Sequence, residues 1–62
     1  MGLSWRRLNE ILSQLSEEQV LDMLNEERQS SRRVTILERL HQRYTMLRAA
    51  RERIELLKEA TR

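Results

Sequence analysis

Apolar residues return every three or four positions along this chain, in three runs. The first run holds Trp5, Leu8, Ile11, Leu12 and Leu15. That spacing keeps side chains on one face of a helix with about 3.6 residues per turn. The second run, Val20, Leu21 and Leu24 with Met23 beside it, follows at once. The third is the longest: Leu37, Leu40, Tyr44, Leu47, Ala50, Ile54 and Leu57, at steps of 3, 4, 3, 3, 4 and 3. It predicts a long helix carrying one continuous seam.

The polar residues between the runs set the boundaries. In "LSEEQV", Ser16 caps a helix start and Gln19 three residues on completes a capping box. Leu15 and Val20 supply the matching hydrophobic staple, and Glu17 and Glu18 suit the positive end of the helix dipole. The first helix, with Ser4 as its cap, either bends at Ser16 or runs through it, and the capping box favours the bend. The polar stretch "NEERQSSRR" ends the second helix near Arg28, and Ser30 and Ser31 bring turn chemistry. Thr35 and Glu38, in "TILE", read as a second capping box. Cations oppose the dipole in a first turn, so Arg32 and Arg33 are placed before the helix, in a turn over 29–34.

The predicted helices are thus about 4–15, 16–28 and 35–60. There is no proline, and the only glycine is Gly2, so no strong breaker interrupts them. Residues 4–28 number twenty-five, close to the long helix, which would span about 39 Å. The expected fold is all-α and a single small domain over 1–62. It is an antiparallel helical hairpin, with the two shorter helices laid along the long one.

A second stripe lies on the long helix: Met46, Ala49, Arg53, Leu56 and Ala60, at steps of 3, 4, 3 and 4. One neighbouring helix covers one stripe, so two stripes call for two neighbours. A lone hairpin of this size leaves much of each helix exposed. An antiparallel two-fold dimer, forming a four-helix-type bundle with coiled-coil-like packing, is the simplest closed solution.

Charge modifies this picture through its distribution. Net charge is only +2. Residues 1–27 carry two arginines and six acids, and residues 28–53 carry eight arginines and two acids. Arg32, Arg33, Arg39 and Arg43 gather at the turn and along the start of the long helix, where their guanidinium forks could hold phosphate. The competing reading is internal pairing with Asp22, Glu26 and Glu27 on the second helix. Trp5 and Tyr44 are the only aromatics, too few to interleave with stacked bases. The arginines are therefore expected mainly to flank the seam and to cover it with their stems.

Catalytic chemistry finds no foothold. His41 is the only histidine and there is no cysteine, so no nucleophile–base pair or Cys/His metal set can be assembled. The carboxylate pairs Glu17/Glu18 and Glu26/Glu27 fall on exposed helix faces with no cleft to tune them. No enzyme activity, cofactor or small-molecule substrate is expected. No run of eighteen apolar residues could span a membrane. Asn9, Glu10 and Gln14 weigh against a membrane-surface helix at Trp5, Arg6 and Arg7. "MGLSWR" opens like a myristoylation signal but has Arg6 where Ser or Thr is required. The start also lacks the apolar core of a signal peptide. A cytoplasmic protein is expected.

The stretch "RLHQRYTMLRAARERIELL", preceded by "LSEEQVLDMLNEER", resembles the small uncharacterised all-helical proteins of tailed bacteriophages, over roughly residues 15–57. That resemblance implies a viral protein of the host cytoplasm acting on a host or phage macromolecule, and it assigns no functional residue. The leading expectation is a homodimeric, non-enzymatic module that binds another protein as adaptor or inhibitor. The alternative is a small nucleic-acid-binding protein that uses the basic turn.

Overall fold

The computed structural model describes residues 4–61. It is all-α: α1 (Trp5–Ile11), a 3-10 turn (Leu12–Gln14), α2 (Glu17–Gln29) and α3 (Val34–Ala60). Helices α2 and α3 pack together as an antiparallel hairpin.

Each start and stop has a local cause. Ser4 caps α1, its hydroxyl accepting from the Arg7 amide at 3.1 Å. At Ser16 the reciprocal capping box is complete. The Ser16 hydroxyl accepts from the Gln19 amide at 3.2 Å, and the Gln19 side chain accepts from the Ser16 amide at 2.9 Å. Leu15 and Ser16 are extended, with ψ of 142° and 167°, so the chain turns sharply between α1 and α2. At the far end of α2, the Ser30 hydroxyl and amide both bond the Glu26 carbonyl, at 2.8 and 3.1 Å. Arg32 then takes φ of 50°, the left-handed region that reverses the chain, while its amide donates to the Glu27 carbonyl at 2.9 Å.

The start of α3 differs from the expected capping box. The helix begins at Val34 with Arg33 as its cap residue, so Thr35 already lies inside the first turn. No side chain at the cap position bonds the helix. The acceptor comes from across the turn: the Glu27 carboxylate takes the Arg33 amide at 3.0 Å. A negative charge thereby sits at the positive end of α3, where the dipole favours it.

The core is small and lies toward one end. Leu8, Leu12, Val20, Leu24, Ile36 and Leu40 are buried together, with Leu15, Met23, Leu37, Tyr44 and Leu47 packed partly against them. The arms are not laid end to end as the matched lengths predict. Glu17, at the start of α2, reaches Arg51 at 2.8 Å. An α1 continuing in line would lie beyond Arg51, toward Ala60. Instead Asn9 accepts a 3.0 Å bond from Arg39, and Trp5 shares a shallow open groove with Thr35, Glu38, Arg39 and Gln42. The Ser16 bend folds α1 back over the first turns of α3. Helices α1 and α2 therefore cover one half of α3, and every described residue from Arg48 to Thr61 is exposed.

Candidate functional site

The seam predicted for α3 splits at its middle. Leu40 is buried at 1% exposure, and Leu37, Tyr44 and Leu47 are half-buried against the core. Ile36, which that seam omitted, is buried instead of its neighbour Leu37. Ile54 and Leu57, assigned to the same seam, are 55% and 59% exposed, and Ala50 is exposed with them. Geometry gives the reason. Twenty residues at about 100° each fall roughly 160° short of six full turns. The steps of three and four chosen from Leu37 to Leu57 average less than 3.6, so the stripe walks almost to the opposite side of the helix. The buried line runs through Ile36, Leu40, Tyr44 and Leu47 and ends where Arg51 meets Glu17.

The second predicted stripe is entirely open. Met46 and Leu56 are 56% and 64% exposed, and Ala49, Arg53 and Ala60 are exposed as well. Beyond Leu47 the two predicted stripes join. At about 100° per residue, the positions in order round α3 are Leu56, Ala49, Ala60, Arg53, Met46, Leu57, Ala50, Thr61 and Ile54. They occupy one contiguous half of the helix surface. The opposite half holds Lys58, Arg51, Glu55, Arg48, Glu59 and Glu52. An apolar face over four turns, open to solvent at the end of a long helix, is the most distinctive surface of the molecule.

Four of the six charges on the polar half are paired, while Lys58 and Glu59 join no ion pair among the described residues. Arg48 bonds Glu52 at 2.8 Å, and Arg51 bonds Glu55 at 3.1 Å as well as both oxygens of Glu17. The bonds to Glu17 and Glu55 push the Arg51 guanidinium pKa up, and the bond from Arg48 holds the Glu52 carboxyl below its ordinary value. Arg53 also makes no hydrogen bond or ion pair among the described residues, and unlike those six charges it lies in the apolar half.

The basic cluster at the turn is engaged within the chain. Arg33 clamps Glu27 through its amide and two guanidinium nitrogens, at 3.0, 3.1 and 2.9 Å. Glu27 is only 6% exposed, and the Arg33 side-chain bonds hold its carboxyl below the usual value. Arg39 bonds Asn9 and Gln42. Arg32 returns its Nε to the Arg28 carbonyl at 3.0 Å, completing the end of α2. Arg43 is half-buried beside the core, and its Nε has no hydrogen-bond partner among the described residues. Of the acids expected to neutralise this cluster, Glu27 does so, while Asp22 and Glu26 join no ion pair among the described residues.

Sequence reasoning named both stripes but not their fusion, which depends on where α2 ends and α1 turns back. It placed Glu27 among the acids facing the basic cluster, but it missed that the same carboxylate takes the Arg33 amide and caps α3. No group of three or more His, Cys, Asp or Glu side chains is placed to hold a metal among the described residues. No described helix is long and apolar enough to cross a membrane. The chain matches no protein-family model, and neither the curated proteins nor the solved structures contain a match.

Proposed function

We propose that the chain is a non-enzymatic, helical protein-interaction module, and that the bare half of α3 is its recognition face. One observation carries the reading: a contiguous, exposed apolar half-surface from Met46 to Ala60. Leaving Leu56, Leu57, Ile54 and Met46 in water is unfavourable, by an amount proportional to their apolar area. A second helix laid along that half-surface relieves it in the helix-in-groove manner. Laying such a face into the groove of a larger protein is how a small adaptor or inhibitor engages it.

Phosphate binding at the basic turn is the weaker reading. Arg33 and Arg39 already bond side chains of the same chain, and Arg32 serves the end of α2. A salt-titrated assay on duplex and single-stranded DNA separates the two. Nucleic-acid recognition requires a steep log–log slope with salt, whereas the interaction reading expects none.

The direct test compares wild type with a Leu56→Glu/Leu57→Glu variant in capture from the native cell. Both positions are exposed, so the variant keeps its circular dichroism. The reading expects a protein retained by wild type and absent from the variant. Identical captured sets would contradict it.

A further inference from the structure

Arg53 sits within the apolar half of α3, between Ala60 and Met46 in the order round the helix and midway along the face from Met46 to Ala60. It is the only charge in that half and has no partner among the described residues. Arg48 and Arg51, by contrast, are both committed to nearby carboxylates.

A second copy is a poor occupant of this face. In a parallel pair in register, Arg53 meets Arg53. In an antiparallel pair overlapping from Met46 to Ala60, the centre of the overlap is again Arg53, so like meets like. Two guanidinium groups brought together while water is excluded repel and leave both charges uncompensated. A single charge within an otherwise apolar helix seam sets the choice of partner at a cost in stability.

From this we infer that the face takes an amphipathic helix of a different protein, one whose apolar stripe carries a single carboxylate near its centre. The carboxylate meets the Arg53 fork, which binds carboxylates bidentately. The leucines on either side exclude water from the pair. Arginine at the centre of an apolar patch is the composition of an interface hot spot. This inference rests on the proposed interaction face and adds to it the identity of the occupant's central group.

The test uses the full chain and a synthetic amphipathic helix of about four turns, the length of the face. One peptide carries Glu at the centre of its leucine stripe and its twin carries Lys there. Wild type is expected to bind the Glu peptide at least about tenfold tighter than the Lys peptide, and Arg53→Glu should invert that order. Arg53→Leu should lose the preference and should self-associate in sedimentation at about 100 µM, where wild type remains monomeric. Position 53 is exposed, so both variants keep the wild-type helix signal.

Equal binding of the two peptides to wild type would overturn the inference. So would wild-type self-association as tight as that of Arg53→Leu, which would make a second copy the occupant. If neither peptide binds but capture from cells still depends on Leu56 and Leu57, the interaction face stands and the carboxylate proposal falls.

Discussion

The two halves of α3 are built from similar residues and have opposite fates. From Ile36 to Leu47 the helix is covered on two sides, by α2 and by the returning α1, and Ile36, Leu37, Leu40, Tyr44 and Leu47 join the core. From Glu52 to Ala60 it meets no other helix among the described residues, though it carries Ile54, Leu56 and Leu57. Hydrophobicity alone therefore does not decide burial here. What decides it is where the other arms of the chain can reach. The Glu17–Arg51 bond marks the end of α2's reach, and the Ser16 bend sends α1 away from the bare half. One half of α3 makes the fold and the other is free for a partner.

The sharpest way to break this contrast is to truncate one leucine in each half. Leu40→Ala removes a side chain that is 1% exposed and should cost about 2–5 kcal/mol. In a domain of this size that is most of the stability, so the helical circular dichroism signal should be largely lost at room temperature. Leu57→Ala should change stability by no more than about 0.5 kcal/mol. Comparable losses from both would mean that the bare half is buried in solution.

Acid should act on the covered half. The Arg33 bonds hold the folded-state pKa of Glu27 below the ordinary carboxylate value of 4.5. In the lower window the unfolded chain binds the proton first, so the clamp stabilises the fold above that ordinary value. Its contribution is lost as pH falls through the lowered one. Thermal melts should drop in temperature as pH falls below the ordinary carboxylate value, and Glu27→Gln should flatten that slope while lowering the neutral-pH melting point. Glu52 is also shifted downward but is about half exposed, so solvent screens its contribution. An unchanged acid slope in Glu27→Gln would remove the clamp from the account.

The bend at Ser16 is expected to respond next. Ser16→Ala deletes one side of the capping box and should destabilise by about 1 kcal/mol, lowering the melting temperature. A neutral or stabilising effect would mean that α1 and α2 run on as one helix, which would carry α1 toward the bare half. The smallest effect concerns the turn. Arg32 holds a left-handed φ of 50°, so Arg32→Gly should relieve strain and stabilise by roughly 0.5 kcal/mol, partly offset by loss of the bond to Arg28. A clear destabilisation would show that the Arg28 bond outweighs the strain.

Local signals in this sequence were legible and long-range ones were not. The Ser16 capping box was readable because all its parts lie within six residues. The all-α hairpin was readable because apolar spacing and the absence of breakers both act locally. The cap of α3 was misread. Thr35 and Glu38 fit a capping box by spacing, yet the Glu27 carboxylate crosses the turn and displaces it. Such a competitor is invisible to a window along the chain. The continuous seam failed for a similar reason. Steps of three and four look helical anywhere, but only the accumulated angle shows that Leu37 and Leu57 cannot share a neighbour. Matching the arms by length also assumed that they lie end to end, and length carries no information about which way α1 turns at Ser16. The exposed stripe at Met46, Ala49, Arg53, Leu56 and Ala60 was legible as a pattern, while its place outside the core required the fold.

Residue-resolved amide hydrogen exchange on the free chain tests the division of α3 most directly. Amides from Leu40 to Leu47, past the unbonded first turn, should exchange only through global unfolding, with a common opening free energy equal to the stability from melts. Amides from Glu52 to Ala60 should exchange through local fraying, much faster and insensitive to Leu40→Ala. Equal protection along the whole of α3, at concentrations where the chain sediments as a monomer, would contradict the account, because nothing in the single chain covers the second half.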